Sequence, residues 1–323
     1  MRAFQLDRYG DRATLAEVAI PEPGPGEVRI RIAACGLNFA DLLMEKGEYQ
    51  DLPPLPATLG LELAGTVEAL GPGTDGPPPG TRVAVFSGSG GLADYGCFPA
   101  DRCLPLPDAM PFDVAAGFQI AYGTSHLALA DRARLAAGET LVVLGAAGGV
   151  GLTAVEIGHR LGARVIAVAR GEARLETARA AGADALIDSD RTPDLRGALR
   201  ALGGADVVYD PVGGEQGAAA LRALRPEGRH LVIGFASGTV PAVPANHLLV
   251  KNLSMIGFYW GGYLKFRPEA LTSSLRTLIG WYEEGGLHPH ISHRLPLSRA
   301  AEGLELLRSR RATGKVVIDC QSE

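Results

Sequence analysis

Residues 141–151 read LVVLGAAGGVG. An apolar run that ends in glycines and leads into GVGLTAVEIGHRLGA predicts a buried strand, a tight turn and a helix. Ala146, Gly148 and Gly151 fill the three positions of a G-x-G-x-x-G pattern, with alanine at the first. Small residues at this spacing let the backbone touch a pyrophosphate and let the helix lie close on the strand. The helix N-terminus adds free N–H groups and a positive dipole end for the anion. Ala147, Gly148, Gly149, Val150 and Gly151 are therefore the expected pyrophosphate contacts.

Outward from this stretch, strands and helices alternate. RVIAVAR (164–170) reads as a strand, EARLETARAAGA (172–183) as a helix and ALIDS (185–189) as a strand. A helix over 195–202 precedes DVVYD (206–210). A helix over 215–224 precedes RHLVIGF (229–235), and LSMIGF (253–258) closes the series. Six strands with crossovers predict a Rossmann unit, a doubly wound parallel sheet with helices on both faces. The second strand ends at Arg170, with Arg174 one turn further and no carboxylate at the tip. An NAD site places Asp or Glu there, whereas guanidinium groups grip a 2′-phosphate. NADPH is thus expected over NADH; the alternative is that both arginines are solvated helix-start charges. Gly234 and Phe235 follow a strand, on the edge where such folds bind ligands.

The first 110 or so residues read as β-rich. Glu27–Ala33 alternates charged and apolar residues, as a half-buried strand does. Ala64–Leu70 and Arg82–Phe86 are further strands, separated by the loop GPGTDGPPPG. Beyond Gly262, Pro268–Glu284 reads as a long helix, and GKVVID (314–319) as a strand with no helix after it. That last strand is expected to return to the N-terminal region. The expected organisation is α/β, with a β-rich domain over 1–115 and 263–323 and a Rossmann domain over 116–262.

The chain has 323 residues, 46% hydrophobic and 21% charged, and a net charge of −5. No basic block is present, so nucleic acid is not an expected partner. Forty-three glycines without a G-X-Y period exclude collagen and indicate many tight turns or close approaches. Cys35, Cys97, Cys103 and Cys320 form no C-x-x-C, which supports neither a disulfide framework nor a zinc ribbon. The N-terminal MRAFQLDRYGD has no apolar signal core, and a cytoplasmic location is expected. Prolines, glycines and Asn246 break the uncharged run Leu231–Val250, so it reads as strand, loop and helix start rather than a membrane span. His288, His290 and His293 match no structural zinc spacing.

PGPGEV (23–28), CGLNFADLLMEKGEYQ (35–50), LGLELAGTV (59–67), AYGTSHLAL (121–129), GAAGGVG (145–151), YDPVGG (209–214), GFASG (234–238) and ATGKVVI (312–318) occur in this order. With these segments the whole chain resembles the zinc-independent quinone oxidoreductase family of the medium-chain dehydrogenase/reductase superfamily. The resemblance implies a GroES-like fold for the β-rich domain and a homodimer. Zinc-dependent members of the superfamily carry a Cys two residues after Cys-Gly, and Gly-His-Glu at a second site. Here Cys35-Gly36 is followed by Leu37-Asn38, and the second segment is Gly60-Leu61-Glu62. No catalytic zinc is expected, and Cys35 is expected to be a buried, unreactive thiol.

Without a metal to acidify an alcohol, the acceptors expected are already electrophilic. A quinone or an activated C=C (enone or acrylate-like) takes hydride by conjugate addition, and the charge spreads onto a carbonyl oxygen. By resemblance Tyr49 is the hydrogen-bond or proton donor to that oxygen, unless it is a rim aromatic and solvent protonates. Asn38, standing where a zinc ligand would, is expected near the nicotinamide or substrate. Thr124 resembles a cofactor-contacting hydroxyl, or it starts a helix. Phe258, Tyr259 and Trp260 line the nicotinamide end, or pack in the core. Lys315 matches a position near the cofactor. Two other readings stand beside this one: a reductase of acryl thioesters, and a non-enzymatic NADPH-binding protein with a structural or RNA-binding role.

Overall fold

The computed structural model describes residues 1–322. It contains two compact units, Met1–Ile120 together with the residues from Pro289 onward, and Ala121–His288.

The first unit begins with β1 (Arg2–Leu6), β2 (Thr14–Glu17), β3 (Glu27–Gly36), α1 (Phe39–Lys46) and β4 (Ala57–Thr58). It continues with β5 (Glu62–Leu70), β6 (Arg82–Phe86), β7 (Tyr95–Pro99), β8 (Cys103–Pro105) and α2 (Phe112–Ala116). In β3 the alternation works as the sequence implies: Val28, Ile30 and Ile32 are fully buried. From Ala33 onward both faces are covered. A Cβ on Gly36 would lie 2.3 Å from the carbonyl oxygen of Ala116, so only glycine lets α2 settle there.

The second unit is entered through α3 (Gln119–His126). It holds β9 (Thr140–Leu144), α4 (Gly149–Arg160), β10 (Arg164–Ala169), α5 (Glu172–Ala180), β11 (Ala185–Asp188), α6 (Leu195–Ala201), β12 (Ala205–Asp210), α7 (Gly214–Ala223), β13 (Leu224–Val232), α8 (Ala245–Leu249), β14 (Ser254–Gly257), α9 (Tyr263–Phe266) and α10 (Pro268–Glu283). Its sheet runs β11-β10-β9-β12-β13-β14, with every pair parallel. All five residues of β9 are buried, as a central strand covered on both faces requires. The order reverses at β9, which opens a crevice at the carboxyl ends of β9 and β12. This is the Rossmann arrangement. The run Leu231–Val250 is indeed strand end, loop and helix. No helix among the described residues is long and apolar enough to cross a membrane.

The chain then returns to the first unit as β15 (Ile291–Pro296), α11 (Ala300–Arg308) and β16 (Lys315–Asp319). β16 pairs antiparallel with β3, giving the order β15-β16-β3-β5-β6-β8, with β7 also on β3. The expected return of GKVVID to the N-terminal sheet is therefore seen. The expected boundary at 263 is not: residues up to His288 belong to the second unit. The cause is the packing of α10. Its Ser274 hydroxyl lies 2.8 Å from His126 Nδ1, Trp281 stacks edge-on against His126, and Arg160 lies over the Trp281 ring.

The junction of β9 and α4 leaves no room for a side chain at Gly151. A Cβ on Gly151 would fall 2.1 Å from the Gly145 carbonyl oxygen. Gly151→Ala must push α4 off its strand, and overpacking of this kind costs about 1–3 kcal/mol. Urea denaturation should show that loss; a variant as stable as the parent would mean that the turn yields instead.

Candidate functional site

In the second unit the glycine turn, the tip of β10 and the loops after β12 and β13 gather at the carboxyl edge of the sheet. Gly148 caps α4 and is exposed, Gly149 and Val150 are half-buried, and Ala147 and Gly151 are buried. Ala146 N donates to Val168 O at 3.0 Å, which ties the turn to β10. The exposed Gly148 at the head of a three-turn helix is a cradle a side chain would fill, and it fits a pyrophosphate. Arg170 is exposed just past β10, and the Arg174 guanidinium reaches back to donate to Arg170 O at 3.3 Å. Both residues flank a turn held by Gly171 N donating to Asp188 Oδ1.

Phe235 is exposed on the loop after β13, and that loop lies on the turn after β12. A Cβ on Gly213 would come within 2.9 Å of the Phe235 ring, and Gly214 N donates to Thr239 O. Gly234 is half-buried in the same loop. Thr124 is buried inside α3, so it does not start that helix. Of the aromatic trio, Phe258 and Trp260 are buried packing residues: Phe258 meets the Tyr263 ring, and Trp260 fills the space over Gly123. Tyr259 is half-buried.

In the first unit, three neighbouring strands bring Asn38, Glu62 and Lys315 together. Asn38 follows β3, Glu62 opens β5 and Lys315 opens β16. The Lys315 ammonium donates to Leu37 O, Asn38 Oδ1 and Glu62 Oε1, each at 2.8 Å. The Glu62 carboxylate also accepts from Asn38 Nδ2 at 3.0 Å and from Ile120 N at 2.9 Å. The second N–H of Asn38 goes to Gly36 O at 3.1 Å. Glu62 is fully buried and Lys315 nearly so. All three ammonium protons and both amide protons are thus used inside the protein. The Lys315 ammonium and the Asn38 amide are held by protein partners in the first unit. Tyr49 lies two residues beyond Gly47, the left-handed cap that ends α1, and is half-buried.

Asp41 is the residue that the sequence reading missed. It is fully buried in α1, where its carboxylate accepts from Asn38 N at 2.8 Å and Gly60 N at 3.1 Å. The spacing Asn-x-x-Asp at a helix start was the available signal. Burial pushes its pKa up to about 7, against the opposing pull of these two N–H groups and of Lys315. Cys35 lies under the same cluster, and burial raises its thiol far above the usual range. A Cβ on Gly60 or Gly91 would strike its sulfur. This packing agrees with the unreactive thiol expected.

The donor set does not suit zinc. Among the described residues no three His, Cys, Asp or Glu side chains converge. Glu62, which follows Leu61 in the second segment, is paired with the Lys315 ammonium. His290 and His293 bond to the hydroxyls of Thr313 and Ser292.

Removing one partner of a buried ion pair strands the other charge and costs about 3–5 kcal/mol. Lys315→Met should lose stability on that scale, and Glu62→Gln/Lys315→Met should recover most of it. A double variant no better than the single one would mean that the pair is not coupled. Asp41 predicts a pH dependence. Its folded pKa of about 7 exceeds the unfolded value, so the native state holds the proton more tightly. That contribution is complete below about pH 4 and is lost as pH rises through about 7. Asp41→Asn does not titrate, so wild type should lose stability relative to the variant over that window. A difference flat with pH would contradict the assignment.

Comparison with known proteins follows the same two units. Residues 24–108 match the alcohol dehydrogenase GroES-like domain family, and residues 149–276 the zinc-binding dehydrogenase family. Quinone oxidoreductase-like protein 2 of Bos taurus is 36% identical over 311 residues, which span 95% of this chain and 89% of that protein. A crystal structure of an NAD-dependent alcohol dehydrogenase superposes with a TM-score of 0.90 at 32% identity, covering 99% of this chain and all of that one. The quinone oxidoreductase of Thermus thermophilus, also solved in complex with NADPH, gives 0.87 at 32% identity with 99% and 100% coverage. The chain therefore belongs to the quinone oxidoreductase family of the medium-chain dehydrogenase/reductase superfamily and is an oxidoreductase.

Proposed function

We propose that this oxidoreductase uses NADPH to reduce a quinone or an activated C=C of the enone or acrylate type, without a metal. The observation that carries the reading is the closed Asn38–Glu62–Lys315 cluster. Lys315 already occupies the Glu62 carboxylate, and Asn38 and Leu61 stand where zinc ligands would, which supports a reaction without a Lewis acid to acidify an alcohol. The Thermus relative supports the coenzyme, and so do Arg170 and Arg174.

NADPH supplies the hydride when bound. The N–H groups of Gly148 to Gly151 hold the pyrophosphate, and Arg170 with Arg174 grips the 2′-phosphate. Thr124, Gly234, Phe235 and Tyr259 complete the cofactor-binding set. An acceptor that takes hydride by conjugate addition gains an oxyanion at its carbonyl oxygen. Tyr49 donates a hydrogen bond to that oxygen, and a proton from Tyr49 or solvent completes the reduction. The ordinary Tyr pKa near ~10 makes the hydrogen bond the larger contribution at neutral pH. A cytoplasmic homodimer belongs to the same proposal, and the exposed Leu249 and Val250 just before edge strand β14 support a self-association surface.

The test is NADPH oxidation at 340 nm across quinones, enones, acryl thioesters and aldehydes, with and without a chelator. Turnover of quinones or enones that survives the chelator is expected. Turnover of aldehydes alone, or loss of activity with chelator, would contradict the reading, and acryl thioesters as the sole substrates would narrow it. Arg170→Ala/Arg174→Ala should raise KM for NADPH about 10-fold or more while leaving that for NADH little changed, the scale of losing charge-assisted bonds. An equal KM for NADPH in variant and parent would remove the 2′-phosphate assignment.

A further inference from the structure

Tyr209, the penultimate residue of β12, is fully buried and lies outside every contact considered above. Its hydroxyl is 3.1 Å from Ser125 Oγ on α3. Ser125 in turn donates to Val150 O at 2.9 Å, in the first turn of α4. Thr153 Oγ1 lies 2.8 Å from the same Ser125 oxygen and donates to Ala121 O at 3.0 Å. Either hydroxyl can donate across the Tyr209–Ser125 pair, and each of the three hydroxyls has one proton to share among these partners. Ser125 is also fully buried, and Thr153 is buried. Three hydroxyls therefore brace the glycine turn from behind, where water does not compete.

The next residue braces the neighbouring loop. Asp210 Oδ1 accepts from Val212 N at 2.8 Å and from Gly213 N at 2.7 Å, and Oδ2 lies 3.0 Å from His230 Nε2. The two loops touch, since a Cβ on Gly145 would meet the Val212 side chain at 3.1 Å. Consecutive strand residues point to opposite faces. One dipeptide at the reversal of strand order thus fixes both loops that flank the crevice.

We infer that Tyr209 is a positioning residue for the dinucleotide, setting the glycine turn through Ser125 so that its N–H groups meet a pyrophosphate. This rests on the NADPH reading above. The phosphate-binding N–H groups belong to Gly148–Gly151, and Val150 sits among them. If the hydroxyl chain is cut, the turn loses its support on the side away from the ligand and binds a pyrophosphate less well.

The experiment is fluorescence titration of the full chain with NADPH. Tyr209→Phe deletes one oxygen and keeps the ring. Its Kd for NADPH should rise about 3–10-fold, the scale of one buried hydrogen bond. The rise should appear in KM for NADPH, with kcat moving less than about two-fold. Ser125→Ala should give a similar rise, and the double variant little more, because the hydroxyls act as one chain. Ser274→Ala, which deletes another buried hydroxyl of this unit away from the turn, serves as the control and should not change Kd. A Tyr209→Phe Kd equal to wild type overturns the inference. So does a Ser274→Ala effect of the same size, which would indicate general softening. If Tyr209→Phe fails to fold, Ser125→Ala decides alone. Wild type that binds no NADPH overturns the functional reading and this inference together, whereas wild-type binding with unchanged variants overturns this inference only.

Discussion

The first unit depends on one dehydrated ion pair. Lys315 and Glu62 stand at the ends of strands that are distant in sequence, and their charges meet at 2.8 Å out of reach of water. Desolvating two charges is expensive, and such a pair persists only when the remaining protons and lone pairs are also satisfied. Here they are: the ammonium has three acceptors, and the carboxylate has three donors. An apolar pair of the same volume would impose no such geometry. The pair therefore fixes register more than it adds stability. It sets β16 beside β3, holds the turn into α1 through Leu37 and Asn38, and so determines where the Tyr49 segment starts.

The second unit buries Asp210 against His230 beside the loop after β12, but its glycine turn is ordered by close backbone approach and neutral hydroxyls. Gly151 lets α4 touch the turn after β9, and Gly213 and Gly214 let the loop after β13 lie on the turn after β12. Such approaches leave little freedom, because each replaces a side chain by a backbone contact. The buried hydroxyl chain then adds direction without adding charge.

The Rossmann unit was legible in the sequence because its signals are local. Each strand is an apolar run, each helix follows within a few residues, and the observed elements match the expected ones within a few positions. The return of β16 to the first sheet was legible by elimination, since a lone final strand needs a partner. What was not legible was tertiary. Nothing in Pro268–Glu283 says which unit it packs on; the choice is made by His126, Asp131 and Arg160, over a hundred residues away. The mutual bonding of Asn38, Glu62 and Lys315 was hidden for the same reason. A Lys in TGKVVI reads as an available cation until Glu62, 253 positions earlier, is seen to hold it. Gly91 is a further case: its N–H donates to Gly60 O, and a Cβ there would lie 2.9 Å from the Cys35 sulfur, a contact made across more than fifty residues.

The closed cluster also bears on which acceptor chemistry suits the protein. With Lys315 and Glu62 neutralising each other, the first unit presents no unbalanced fixed charge there to a developing oxyanion. A localised alkoxide would need a strong counter-charge, and none is in reach from this pair. An enolate or a semireduced quinone oxygen carries its charge over a conjugated system, and a neutral hydroxyl donor is enough to meet it. On the proposed reading, the class of acceptor and the absence of a metal have one origin: the lysine that closes this cluster in the first unit.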